Sequence, residues 1–404
     1  MRVLLTDGSG LTARQVATRL SASGHTVDVL SPDPLCLCRY TRHVHRVRRV
    51  PAFGPDPIGW LDAALDAYRS GHFDVLFPTQ EQVAVLAAFP ERLREAGVAT
   101  AVPSFAALAA VQDKISAFAT MRRLGIPQPE TAVGPAGWET FPAFVKTPIG
   151  TASEGVRRVD SPEALDGATA GRGPVLVQAA ADGPLAMCQA VFDRGTMVAF
   201  HACLRTGEGA NGGASHKRST DQPEARAWID RLGTDLGWHG ALSADVIVTP
   251  TGPLFIDINP RLVEPENAWR AGVDLVSALV ALALGGHPAP TPGSRTDVRT
   301  HQLLLGLLGM AQRSGSRTAV LRELLAAMLG RGVYADSREE LTPVWGDLFA
   351  VTPLVLAAAS MLVRPRSWRW FTSGSVDNYA LSGDGWEEIS ARAGGDAAVT
   401  PGVS

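Results

Sequence analysis

The chain has 404 residues, 46% hydrophobic and 19% charged, with a formal net charge of −3. That length supplies core for two or three domains without disulfide staples, and the near-neutral balance offers no basic excess for nucleic acid as a main partner. Four cysteines (Cys36, Cys38, Cys188, Cys203) are too few for a disulfide scaffold and suit a reducing, cytoplasmic compartment.

In chain order, Met1–Asp7 reads as a buried strand that begins at once, not as a signal peptide. Short apolar strands at Arg2–Leu5, Thr26–Leu30 and Asp74–Phe77 alternate with helices at Ala13–Ser21 and around Trp60–Tyr68. Such alternation over residues 1–110 predicts a parallel sheet covered on both faces. A helix over Ile115–Leu124 is stopped by Gly125-Ile126-Pro127, and strands at Ala143–Lys146, Val175–Gln178 and Met187–Phe192 follow, suggesting an α+β lid over about 125–185. Strands at Val198–Leu204, Leu242–Val248 and Pro253–Asn259 predict a second sheet, closed by one helix over Trp269–Leu284. Residues 287–294 read as a linker ending a unit that spans 111–290. Residues 300–390 read as mainly helical and 391–404 as a disordered tail. The apolar run Phe349–Val363 falls short of the roughly 20 residues that span a bilayer, so no membrane contact is expected and a core helix is predicted.

Of 37 basic residues only three are lysine: Lys114, Lys146 and Lys217. Where arginine fills every ordinary surface position, the remaining lysines mark places that need a compact ammonium on a thin stem. Lys146 ends an apolar strand and opens the loop Thr147–Val156, whose Gly150, Ser153 and Gly155 offer backbone N–H groups and a hydroxyl to phosphate oxygens. Asp257 and Asn259 lie two apart on a strand and so share a face, and Asp245 lies on the strand that the turn Thr249–Gly252 joins to it. Hard oxygen ligands on adjacent strands suit Mg²⁺, with nucleotide phosphates completing its shell. The glycine-rich stretch Arg205–Arg218 predicts a mobile flap that brings Arg205 and Lys217 to a reacting phosphate.

Two further patterns are weak. Gly8-Ser9-Gly10-Leu11-Thr12-Ala13 fits a dinucleotide turn with Asp28 or Asp33 on the ribose, which a tight strand-to-helix turn explains equally well. Cys36-Leu37-Cys38 with His43-Val44-His45 has tighter spacing than structural zinc sites and several arginines nearby. No Walker A, H-E-x-x-H or G-x-S-x-G motif occurs.

The order of these motifs resembles the ATP-grasp superfamily, particularly the carboxylate–amine ligases and the related biotin carboxylase and carbamoyl-phosphate synthetase modules. The resemblance covers about residues 1–290: Asp74–Glu81, Asp113-Lys114, Leu124–Pro129, Phe144–Lys146 with the glycine loop, Val175–Gln178, and Trp238–Asp245 with Phe255–Arg261. It implies an α/β fold in which a Rossmann-like parallel-sheet domain precedes an ATP-grasp module with an α+β lid; the helical C-terminal segment matches no family pattern. It implies that Lys114 and Lys146 hold ATP phosphates, that Gln178 and the backbone of Ala179–Ala181 meet adenine, and that Asp245, Asp257 and Asn259 bind Mg²⁺ or Mn²⁺. Arg261, with Lys217 and Arg205, would act on the transferring phosphoryl group. The expected partners are a small carboxylate and an amine, and the helical C-terminal segment offers a homodimer surface or a cap over the site. The family usually carries glutamates at the two metal-binding carboxylates, where this chain has aspartates, one methylene shorter. Rival readings are a bicarbonate-using carboxylase or carbamoyl-phosphate-type enzyme, a nicotinamide-dependent oxidoreductase on the Gly8–Ala13 turn, and a nucleotide-binding module without turnover.

Overall fold

A computed structural model describes residues 1–151, 154–341 and 346–397. Near the N-terminus four parallel strands lie in the order Arg46–Arg49, Thr26–Ser31, Arg2–Leu5, Val75–Phe77. Alternation along Arg2–Leu5 sends side chains to opposite faces. Val3 and Leu5 pack with the helix Leu275–Ala283, while Leu4 joins the core around Trp60 and Leu61 of the helix Pro57–Gly71. An element from late in the chain therefore covers one face of the first sheet, which fixes the two halves against each other.

The lid is a four-stranded antiparallel sheet in the order Thr131–Val133, Leu176–Ala179, Ala143–Lys146, Val156–Val159. Its own small core gathers Trp138, Val145, Val159, Leu165 and Val177. The larger sheet has seven strands in the order Gly252–Asn259, Gly240–Thr249, Leu185–Asp193, Thr196–Glu208, Ala214–Ser219, Arg299–His301, Ser337–Glu339. All neighbours in it are antiparallel except the final pair.

Several expectations need correction. The single helix over 269–284 is two, Glu266–Arg270 and Leu275–Ala283. Gly272 adopts φ +96°, and the Asp274 carboxylate caps the second helix by accepting from Ser277 N at 2.9 Å. The stretch 205–218 is a β-hairpin around a short 3₁₀ turn, Ala210–Gly212, and not a loose flap. Leu305 of the helix Leu303–Ser314 packs on Gly209 and Gly213 so closely that side chains there would collide with it. Residues from 299 onward are mainly helical, yet they also supply the last two strands at one edge of the larger sheet. The helix Gly383–Ala397 runs into the stretch expected to be a tail from 391, and it places Ile389 in the core of the N-terminal domain. Residues 398–404 lie outside the described residues.

No helix among the described residues is long and apolar enough to cross a membrane.

Candidate active site

A cavity of about 960 Å³ opens between the lid, the larger sheet, the first strand-to-helix turn and the C-terminal helices. Lys114, Lys146, Gly150, Gln178, Ala179, Ala181, Arg205, Asp245, Asp257, Asn259 and Arg261 all line it. Residues up to 147 positions apart in sequence thus share one space.

The glycine loop is built by local bonds. Thr147 N donates to Gly155 O at 2.9 Å, closing the loop at its neck. A Cβ at Gly150 would sit 2.3 Å from Glu154 O, and Gly155 combines φ +73° with the Thr147 hydroxyl at 1.9 Å from any added Cβ. Both positions therefore require glycine for the loop's own fold. Ser153, the expected hydroxyl donor, lies outside the described residues. Lys114 opens a helix whose first N–H groups are capped by Asp113, and its ammonium donates to Gly150 O at 3.1 Å. One lysine thus ties the loop to that helix.

Lys146 is buried at the end of its strand, and its ammonium donates to Gln178 Oε1 and to Ile256 O, each at 2.7 Å. The second bond follows from a β-bulge: Asp245 pairs with Asp257, but Val246 pairs with Phe255, so Ile256 has no partner residue in the ladder. Burial lowers the Lys146 pKa to about 8, with Asp257 opposing that shift. Gln178 also donates from Nε2 to Thr131 Oγ1 at 3.1 Å. Its amide oxygen and its amide nitrogen thus each have a partner, and the oxygen orients Lys146. The N–H groups of Ala179 and Ala180 already donate to Glu130 O and Pro142 O, each at 2.9 Å.

Asp245 and Asp257 oppose each other across the hairpin, both half-buried, with Asn259 on the same face as Asp257. Burial, and next the Asp257 charge, push the Asp245 carboxyl up to about 7, while Arg261, Arg205 and Lys146 pull the other way. Two carboxylates and an amide oxygen facing one cavity form a hard-oxygen set, which fits a divalent cation.

Arg261 follows Asn259 through a tight turn, held by Ser243 Oγ donating to Arg261 O at 2.8 Å. Its Nε donates to Glu81 Oε1 at 3.0 Å. Burial works against the Arg261 charge, but Glu81 more than restores it and holds the guanidinium protonated. Glu81 also accepts from Thr151 Oγ1 and from Gln112 Nε2, each at 3.3 Å, so one carboxylate links the N-terminal domain, the glycine loop and Arg261. The motif Asp74–Glu81 contained this residue, but only the fold reveals its role.

Lys217 is not on the cavity wall. Its ammonium is buried between Glu264 and Glu340, 2.6 Å from the latter, and Gln302 donates to both carboxylates. Glu264 itself takes a left-handed backbone (φ 46°) and lines the cavity. The third lysine is thus a structural cation joining the larger sheet to the C-terminal segment. Replacing Lys217 with methionine leaves the buried Glu340 and the partly buried Glu264 without that counter-charge. The expected loss is about 3–5 kcal/mol, read from the denaturant midpoint, and an unchanged midpoint would refute this role. Arg205 does reach the cavity, although Nη1 is spent on Gly212 O at 2.6 Å.

The dinucleotide turn is closed to a pyrophosphate. Asp7 accepts from Ser9 N at 2.9 Å and Gly10 N at 2.6 Å, using the N–H groups that a phosphate would need. Asp28 is buried against Arg48 and His45, 2.8 and 3.0 Å away, and not displayed to a ribose. Cys36 and Cys38 are buried, and among the described residues no group of three or more His, Cys, Asp or Glu is placed to hold a metal.

Residues 111–265 match the model of the ATP-grasp domain. No curated protein sequence matches the chain. Solved structures share the fold at low identity. One is N5-carboxyaminoimidazole ribonucleotide synthetase in its ADP complex (TM-score 0.59, 14% identity, covering 78% of this chain and 85% of that one). Another is the L-amino acid ligase of Bacillus licheniformis (0.56, 14%, 71% and 75%). A third is the biotin carboxylase domain of Hydrogenobacter thermophilus 2-oxoglutarate carboxylase with MgADP and bicarbonate (0.58, 17%, 74% and 73%). In each case the similarity extends beyond the ATP-grasp domain.

Proposed function

We propose that this chain is an ATP- and Mg²⁺-dependent ligase that activates a small carboxylate as an acyl phosphate and joins it to an amine, releasing ADP and phosphate. The observation that carries the reading is the convergence of opposed Asp245 and Asp257 with Lys146, Lys114 and Arg261 on one cavity. The folds shared with an amino acid ligase, a ribonucleotide synthetase and an MgADP-bound carboxylase domain support it.

The chemistry follows from charge. A carboxylate approaching a nucleotide's γ-phosphate is an anion approaching an anion, so cations must surround the transfer. Lys146 and Lys114, with the N–H groups of the glycine loop, would hold the phosphates. Arg261, braced by Glu81, would face the equatorial oxygens of the transferring group. Asp245, Asp257 and Asn259 would hold Mg²⁺, which when bound neutralises phosphate charge. The carboxylate oxygen forms a bond to Pγ as the bond to the β–γ bridging oxygen breaks and ADP departs. The amine then attacks the acyl carbon, phosphate leaves with the C–O electron pair, and the nitrogen loses its proton to solvent or phosphate. Closure of the lid would keep water from the acyl phosphate.

³¹P NMR of the protein with MgATP and pooled carboxylates and amines tests the assignment. ADP and phosphate that depend on both pools are expected. AMP with pyrophosphate would overturn it, and ADP release driven by bicarbonate alone would move it to the carboxylating reaction.

A further inference from the structure

The cavity has chemically different walls. Most of the charged groups described above sit on the lid, the larger sheet and the segments next to them. The stretch 304–379 contributes Leu304, Leu308, Pro353, Leu356, Trp370 and Phe371, with polar Thr372, Ser375, Asn378 and Tyr379, and none of the described wall residues from that stretch is charged. The N-terminal domain adds Leu11, Leu37 and Tyr40 to the same wall. Leu11, Leu37 and Phe371 pack on the C-terminal core formed by Leu304, Leu308 and Leu354, so these apolar walls are continuous. Asp33 is the charged exception on the N-terminal side, and one of its oxygens accepts from Leu35 N at 2.8 Å.

Trp370 is 69% exposed and Leu356 53% exposed. Large apolar groups left in contact with water beside a binding cavity gain most from a ligand that covers them. The cavity volume, about 960 Å³, lies near the top of the range of about 300–1,000 Å³ for small-molecule sites. That leaves room for an organic substrate beside a nucleotide. A substrate carrying a second charge would have to give up its hydration against this wall without a counter-charge.

Building on the ligase reading above, we propose that the acid is amphipathic. Its carboxylate would lie toward Arg261, and an uncharged aryl or branched-alkyl group would rest on the wall formed by Leu356, Trp370 and Phe371. The C-terminal segment would then act as the specificity wall of the site.

The test is calorimetric titration of the MgADP-loaded full chain with acetate, isovalerate, 3-phenylpropanoate and succinate. Affinity should rise at least about tenfold from acetate to 3-phenylpropanoate, with succinate no tighter than acetate. Trp370→Ala and Leu356→Asp, at exposed positions, should each weaken 3-phenylpropanoate about tenfold and leave MgADP affinity unchanged. Equal affinity across the series, tighter binding of succinate, no binding of any acid, or indifference to both substitutions would overturn the proposal. Trp370-dependent binding without acid-and-amine-driven ADP release would keep the apolar subsite and remove the ligase reading. ADP release with small or charged acids alone, insensitive to Trp370, would do the reverse.

Discussion

Replacing Lys146 with methionine is expected to lower ATP turnover about 10²–10³-fold, the usual cost of removing one preorganised charge from a phosphoryl-transfer site. The methionine stem fills the same volume, so the fold should hold. Removing a buried ammonium relieves a desolvation cost, while Gln178 Oε1 and Ile256 O lose their donor. The two effects should nearly cancel, within about 1 kcal/mol at pH 7. The pH dependence has a definite sign. With the native pKa near 8 and the ordinary value at 10.5, the unfolded chain binds the extra proton between those values. The cost that Lys146 imposes on folding is therefore full below pH 8 and is relieved as pH rises from 8 to 10.5. Phosphate binding wants the charged form, so kcat/KM for MgATP should fall about tenfold per unit above pH 8. A parent-like rate in the methionine variant, or a profile level through pH 9.5, would remove Lys146 from the phosphate site.

Asp257→Asn is expected to raise the Mg²⁺ concentration for half-maximal turnover at least about tenfold while making the ligand-free protein more stable. Both effects come from the opposed carboxylates. In the parent, burial and the neighbouring Asp257 hold Asp245 near 7, against 3.8 for an ordinary aspartate. The native state thus binds an extra proton between pH 3.8 and 7, and the stability linked to Asp245 falls as pH rises through that window. Neutralising position 257 removes part of that penalty, by on the order of 1 kcal/mol at pH 8 and less at pH 5. Thermal denaturation at the two pH values, without metal, measures the gain. Added Mg²⁺ with nucleotide should then stabilise the parent more than the variant. A variant with unchanged Mg²⁺ dependence would sink the metal assignment for Asp257.

Much of the candidate site was legible because its parts are local. A strand ending in Lys146, a loop that needs glycine at 150 and 155, and the alternation that puts Asp257 and Asn259 on one face are each set by neighbours a few residues away. The parallel sheet near the N-terminus was legible for the same reason. What failed was whatever depended on distant partners. The scarcity of lysine suggested three phosphate-facing ammoniums, yet Lys217 is committed to Glu264 and Glu340, the latter 123 positions away. The bonds that join Gln178 to Lys146 and Thr131, 32 and 47 positions away, were equally out of sight. Glu81 carried no distinguishing signal, because a single acid after an apolar strand is common. The supposed flap is a packed hairpin because Leu305, from a helix that no family pattern described, lies on its glycines.

The sequence by itself determined the periodic elements, the glycine turns and the acid-bearing hairpin, since backbone conformation and side-chain alternation act over a few residues. Only the tertiary structure decided which charges face the cavity and which are neutralised inside the protein. Burial turns a charge into a cost unless a partner is brought to it, and the partners of Lys217, Arg261 and Asp245 arrive from far along the chain or across a strand pair. It also decided that the C-terminal helices form an uncharged wall of the cavity, because an apolar helix face acquires a role only from what it is folded against.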